Sequence, residues 1–292
     1  MQASSLEMCI DENMKMKFKP VILKILTFGC SILLMLSVVI SKLAYCEIIN
    51  VDKNASTFYS SGVPTPTLYW PGQNPQALLI YIPGGSGTLG LKESTLDLTY
   101  SFYQTLKSLT NPQLTSGRVD VVLLDFPRAL EQNNLAFRDS SEHLTRIARA
   151  IEFYHQKTGL PIWLMGHSNG GVSLGNYIRF LQKYKKTINI SGLIASSIRN
   201  ESSFHFEEQL RIPVLFLHHQ KDQCASASSE YSMINYERVK RTSANSVDFK
   251  WITQGDAQNA DPCKSGYHMY FNSGTEASKV IDEFMAKHQP NF

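Results

Sequence analysis

Apolar runs of strand length alternate with helical patterns along about 240 residues of this chain. The strand candidates are Thr67–Trp70, Ala77–Ile82, Val119–Leu124, Ile162–Met165, Ile190–Ala195, Pro213–Leu217 and Val247–Ile252. Helical patterns fall at roughly 93–109, 139–157, 170–184, 227–240 and 275–288. Several runs are continuously apolar, as in strands covered on both faces by helices. The alternation predicts one α/β domain over residues 47–292, a mostly parallel central sheet with helices on both faces. Such sheets bind ligands beyond the carboxyl ends of their strands. The chemistry is therefore sought in the loops that follow each strand.

Composition narrows the class. With 43% apolar and 18% charged residues, a disordered chain is excluded. A net charge of +3 without a dense Lys/Arg block gives no expectation of nucleic-acid binding. Only one long apolar run occurs, Ile25–Ser41, 17 residues without a charge. Lys15, Lys17, Lys19 and Lys24 precede it, and Ala44-Tyr45-Cys46 follows. A basic region, an apolar stretch and a small-x-small exit read as an export signal, so residues 1–46 are expected to lie outside the folded domain. Three fates stay open at this point. The signal is cleaved after Cys46, or 25–41 stays as a membrane anchor, or Leu43-Ala44-Tyr45-Cys46 acts as a lipobox with Cys46 lipidated. The run is short of the ~20 residues that span a bilayer comfortably, and Tyr45 departs from the lipobox pattern. In each case the lysines stay on the cytoplasmic side, and the expected location is periplasmic or secreted. Residues 1–13 carry three acids ahead of the basic stretch, while Met14-Lys-Met-Lys-Phe-Lys-Pro has the form of a signal start, so the expected start codon is Met14. Residues 47–292 carry 23 basic and 22 acidic residues, so the slight basic excess belongs to export.

One short motif sits where the sheet argument puts chemistry. The run at 162–165 leads into Gly166-His167-Ser168-Asn169-Gly170-Gly171, and a helical pattern follows. G-x-S-x-G between strand and helix is the nucleophile-elbow context. The turn needs small residues, because side chains at 166 or 170 would meet the flanking strand and helix. It would hold the Ser168 hydroxyl above the sheet edge at a helix amino terminus, where N–H groups and the helix dipole favour a developing oxyanion.

On these residues the chain resembles the α/β hydrolases, over essentially all of 65–290. The resemblance implies the order nucleophile, acid, histidine, with a carboxylic ester hydrolase the leading activity. A serine peptidase of this fold, or a non-catalytic binding or envelope protein built on it, are the alternatives. The acid is expected at Asp222, after Pro213–Leu217 and His218-His219-Gln220-Lys221, which resembles the family's strand-H-G-x-x-D with His219 in place of glycine. The base is expected at His268, between the last strand and the last helix. His143, His155, His167, His205 and His288 are weaker candidates by position. His268 would take the serine proton and return it to the leaving group, oriented by Asp222. Pro83-Gly84-Gly85-Ser86-Gly87 stands where the family carries its HG loop. It implies an oxyanion hole from the Gly85 and Asn169 N–H groups, with Ser86 as the alternative donor.

The implied triad brings Cys224 and Cys263 together, so a disulfide between them is expected in an oxidising compartment. A metal is not expected: His218, His219, Asp222, Cys224, Cys263 and His268 are ligand types, but no C-x-x-C, H-x-x-x-H or H-E-x-x-H spacing occurs. No cofactor is implied. The stretch 196–211, where many relatives insert a cap, holds Phe204, His205 and Phe206 but no long apolar helix. The expected site is open, suited to a small or medium ester.

Overall fold

The computed structural model describes residues 46–91, 96–97, 101–127, 135–264 and 266–289. The proposed signal, anchor and start therefore lie outside the described residues, apart from Cys46.

Eight strands form one sheet: β1 (Glu47–Asn50), β2 (Pro66–Trp70), β3 (Ala77–Ile82), β4 (Val119–Leu124), β5 (Ile162–His167), β6 (Gly192–Ser196), β7 (Val214–His219) and β8 (Val247–Ile252). Their order across the sheet is β1-β2-β4-β3-β5-β6-β7-β8. β1 pairs antiparallel with β2, and β2 with β4; every other pairing is parallel. Among the described residues the α-helices are α1 (Ser101–Ser108), α2 (Ser141–Thr158), α3 (Asn169–Lys183), α4 (Ser229–Thr242) and α5 (Gly274–Lys287).

The continuous apolar runs are explained by burial on both faces. In β3, Leu78, Ile80 and Ile82 join one core with Leu144, Ile147 and Ile151 of α2 and Leu174, Tyr177 and Ile178 of α3. Leu79 and Tyr81 of the same strand join the opposite core, with Phe102 and Leu106 of α1 and Ile281 and Phe284 of α5. The strand period of two sends alternate side chains to opposite faces, so only an all-apolar strand suits this position. One buried carboxylate inside the sheet is fully partnered. The Asp120 carboxylate of β4 accepts from the Tyr69 hydroxyl at 2.6 Å and from the Gly72 N–H at 2.8 Å.

Helix ends follow from side chains. Ser140 accepts from the His143 N–H at the start of α2, and Gly159 ends that helix in the left-handed region at φ 69°. The segment between β6 and β7 forms no helix, and Phe204 and Phe206 are buried against Phe216 and the core rather than raised over the site.

Candidate active site

The turn from β5 into α3 holds Ser168 at φ 52° and ψ −120°. Such a backbone is costly for a non-glycine residue and persists only where the surroundings impose it. The imposition is visible at the two neighbouring glycines. A Cβ on Gly166 would lie 2.4 Å from the Gly170 carbonyl oxygen, and one on Gly170 would lie 2.1 Å from that of Ile82. Ser168 stands at the amino end of α3, and its own N–H donates to the Ser196 carbonyl at 3.0 Å.

Asp222 follows β7 and His268 follows β8, and the two loops meet. The His268 Nδ1–Asp222 Oδ2 distance is 2.7 Å, and both side chains are almost fully buried. Burial alone would raise the Asp222 pKa, but the His218 and His268 imidazoles beside it outweigh burial and hold the carboxyl well below its ordinary value. With Nδ1 bound to the carboxylate, Nε2 is the nitrogen left for a substrate-side proton. Ser168 and His268 line one cavity of about 410 Å³.

Two histidines that the sequence reading gave no role shape this arrangement. His218 Nε2 lies 3.2 Å from the same Asp222 oxygen, off the line of a straight hydrogen bond, while its Nδ1 meets the Ser232 hydroxyl at 2.9 Å. His219 points the other way, to the Gln254 carbonyl at 2.7 Å and the Tyr267 ring. His167, beside the nucleophile, is buried with Nδ1 3.2 Å from the Ser196 hydroxyl and its ring 4.9 Å from that of His268. Burial holds its pKa well below the usual histidine value, so it packs as a neutral spacer. The signal for His218 was present in the motif, four residues before the acid; His167 occupies a position the motif leaves variable.

The loop after β3 forms the opposite wall of the cavity. Gly84, Gly85 and Ser86 line it together with Ser168, Asn169 and His268. Gly85 adopts φ 53°. The Asn169 side-chain amide donates to the Gly85 carbonyl at 2.8 Å, joining the two stretches expected to supply oxyanion donors. As the first residue of α3, Asn169 has no carbonyl a turn earlier to take its own N–H. The floor is apolar, from Tyr81, Leu89, Phe102 and Met269.

Cys224 and Cys263 form a disulfide, which ties the loop bearing Asp222 to the loop that leads to His268. His218 and His219 face opposite sides of β7, and among the described residues no group of three or more His, Cys, Asp or Glu could hold an ion.

This sheet order, with the Ser168 turn after β5 and Asp222 and His268 after β7 and β8, is the α/β-hydrolase fold. No family model matches the sequence, and no curated protein matches it. Solved structures do match. A lid-less α/β serine hydrolase from Xanthomonas campestris superposes with a TM-score of 0.55 at 10% identity, covering 85% of this chain and 96% of that one. An esterase from Pyrobaculum calidifontis gives 0.56 at 12% identity, covering 89% and 90%. An acylaminoacyl peptidase from Pyrococcus horikoshii gives 0.56 at 12% identity, covering 88% of this chain and 44% of the peptidase. At these identities the likeness establishes the fold.

Proposed function

We propose that this protein is an exported serine hydrolase that cleaves carboxylic esters of small or medium size through a Ser168–His268–Asp222 triad. The observation that carries the reading is Ser168 itself, a non-glycine residue at φ 52° in a cavity shared with a histidine that is bound to a buried carboxylate. Strain of this kind collects at functional sites, and here it falls on a serine beside a histidine–carboxylate pair. In the reaction, His268 takes the Ser168 proton as Oγ attacks the ester carbonyl. The Asn169 and Gly85 N–H groups meet the developing oxyanion. The imidazolium then gives its proton to the departing alcohol. Water, activated by the same histidine, hydrolyses the acyl-enzyme. Asp222 fixes the tautomer throughout and stays ionised.

A cavity of about 410 Å³ with an apolar floor suits a compact acyl group, and no helical cap over 196–211 restricts entry. Esters are favoured over amides because their alcohols leave without strong protonation, but the same fold carries peptidases. A panel of p-nitrophenyl esters of increasing chain length beside matched anilides tests this. Turnover confined to short and medium esters is expected; faster anilide cleavage would move the protein to the peptidases. Export rests on the 15–46 sequence pattern and fits the Cys224–Cys263 disulfide. Intact mass of the native product is expected to show loss of the amino-terminal segment; a mass that retains it would point to an anchor.

A further inference from the structure

Behind the loop after β3 lies Arg138, in the short helical turn Phe137–Asp139, and it is only 4% exposed. Among the described residues it makes no ion pair. A buried cation without a carboxylate is costly, and burial, above all, pushes its pKa down to about 10. What surrounds it instead is carbonyl oxygen. Nη2 donates to the carbonyls of Pro83 at 3.1 Å and Gly85 at 3.0 Å, with that of Gly84 at 3.5 Å. Nη1 donates to the Ser173 hydroxyl at 2.8 Å, and the Arg138 carbonyl accepts from the Asn176 amide at 3.2 Å, so α3 clamps the residue. Gly87 makes room for it: a Cβ there would lie 3.2 Å from Nη2.

The peptide plane turns these contacts into a statement about the site. In a trans peptide the carbonyl of one residue and the N–H of the next point in opposite directions, and no described peptide is cis. Carbonyls drawn inward at 83, 84 and 85 therefore turn the N–H groups of Gly84, Gly85 and Ser86 away from Arg138. Gly85 and Ser86 are exposed and line the same cavity as Ser168. The guanidinium fork suits this work, because its donors are rigidly spread and several carbonyls can be held at once.

We infer that Arg138 is a positioning residue of the oxyanion hole, one that holds the 83–86 loop with its N–H groups presented to the tetrahedral intermediate. The inference rests on the hydrolase reading and adds to it a residue that never touches substrate. It separates two effects. Loss of Arg138 should weaken stabilisation of the tetrahedral state and leave ground-state binding of the ester nearly intact.

The test compares wild type, Arg138→Lys and Gly87→Ala for kcat, KM, thermal midpoint and affinity for a trifluoromethyl ketone, which adds to the serine as a tetrahedral oxyanion. A lost oxyanion donor lowers kcat about 10²–10³-fold in well-studied cases. Both variants are expected to lose kcat by roughly 10- to 100-fold, with KM changed less than about threefold and ketone affinity falling in step with kcat. Gly87→Ala keeps the guanidinium but crowds both it and Phe126 at a backbone of φ 89°, so it serves as a second disturbance of the same loop if Arg138→Lys does not fold. Variants that lower the thermal midpoint while keeping wild-type kcat and ketone affinity would overturn the inference and leave the hydrolase reading standing. Folded wild type that neither turns over esters nor binds the ketone would remove both.

Discussion

At the scale of single residues, function depends on a few groups held against their ordinary preferences. Ser168 is held at φ 52°, and the glycines beside it leave no room for a methyl group. Gly170→Ala is expected to destabilise the domain by about 2 kcal/mol or more, since it overpacks against backbone that cannot yield. Chemical denaturation measures this, and an unchanged midpoint would mean the turn can relax. Asp222→Asn is expected to lower kcat by about 10⁴-fold with little change in KM, because an amide at 2.7 Å from His268 Nδ1 favours the wrong tautomer. Steady-state kinetics on the preferred p-nitrophenyl ester reads the outcome. That Ser168, Asp222 and His268 would come together was legible in the sequence because each sits at a strand end with recognisable neighbours. Arg138 was not, because it lies in an irregular segment without a motif, and its contacts at 83–85 are about 50 residues away.

At the scale of elements, strands buried on both faces were the most legible. The runs at 77–82 and 119–124 coincide with β3 and β4; the run at 247–252 coincides with β8, an edge strand with Lys250 and Trp251 exposed. β5 and β7 run on to His167 and His219, beyond the apolar runs. Ladder pairing carries the backbone on, and Ser196, Ser232 and the Gln254 carbonyl each take one imidazole nitrogen. β1 was missed because Glu47–Asn50 is a four-residue edge strand set by its pairing with β2 and not by its own pattern. The helical pattern begun at 93 is described as helix only from Ser101, and 92–95 and 98–100 lie outside the described residues. The disulfide joins two loop elements 39 residues apart. A Cys224→Ser/Cys263→Ser variant is expected to lose about 3–4 kcal/mol, toward the upper end for a closed loop of that size. It should also lose activity below its melting temperature, as the His268 loop loosens from Asp222. Full activity in the reduced, folded protein would limit the bridge to stability.

At the scale of the whole molecule, pH acts through buried groups. His143 and His167 are buried and neutral, with pKa values pushed well below the usual histidine range chiefly by burial. The unfolded chain takes up protons at these positions near pH 6.5, and the folded chain does not. Their contribution to stability is therefore full above about pH 6.5 and declines as pH falls below it. Asp222 acts lower. Its depressed pKa gives stability that is present above about pH 4 and is lost as pH drops further. Calorimetry from pH 8 to pH 5 is expected to show a falling melting temperature, and His143→Gln to flatten the slope; a flat wild-type profile would contradict it. This fold is expected to present a live serine nucleophile at residue 168. The direct measurement is labelling of native protein with a fluorophosphonate probe, read by intact mass, for wild type and Ser168→Ala. Stoichiometric labelling of wild type at Ser168 and none of the variant is the expected result. Folded wild-type protein that takes up no probe, or a variant labelled as well as wild type, would contradict the account.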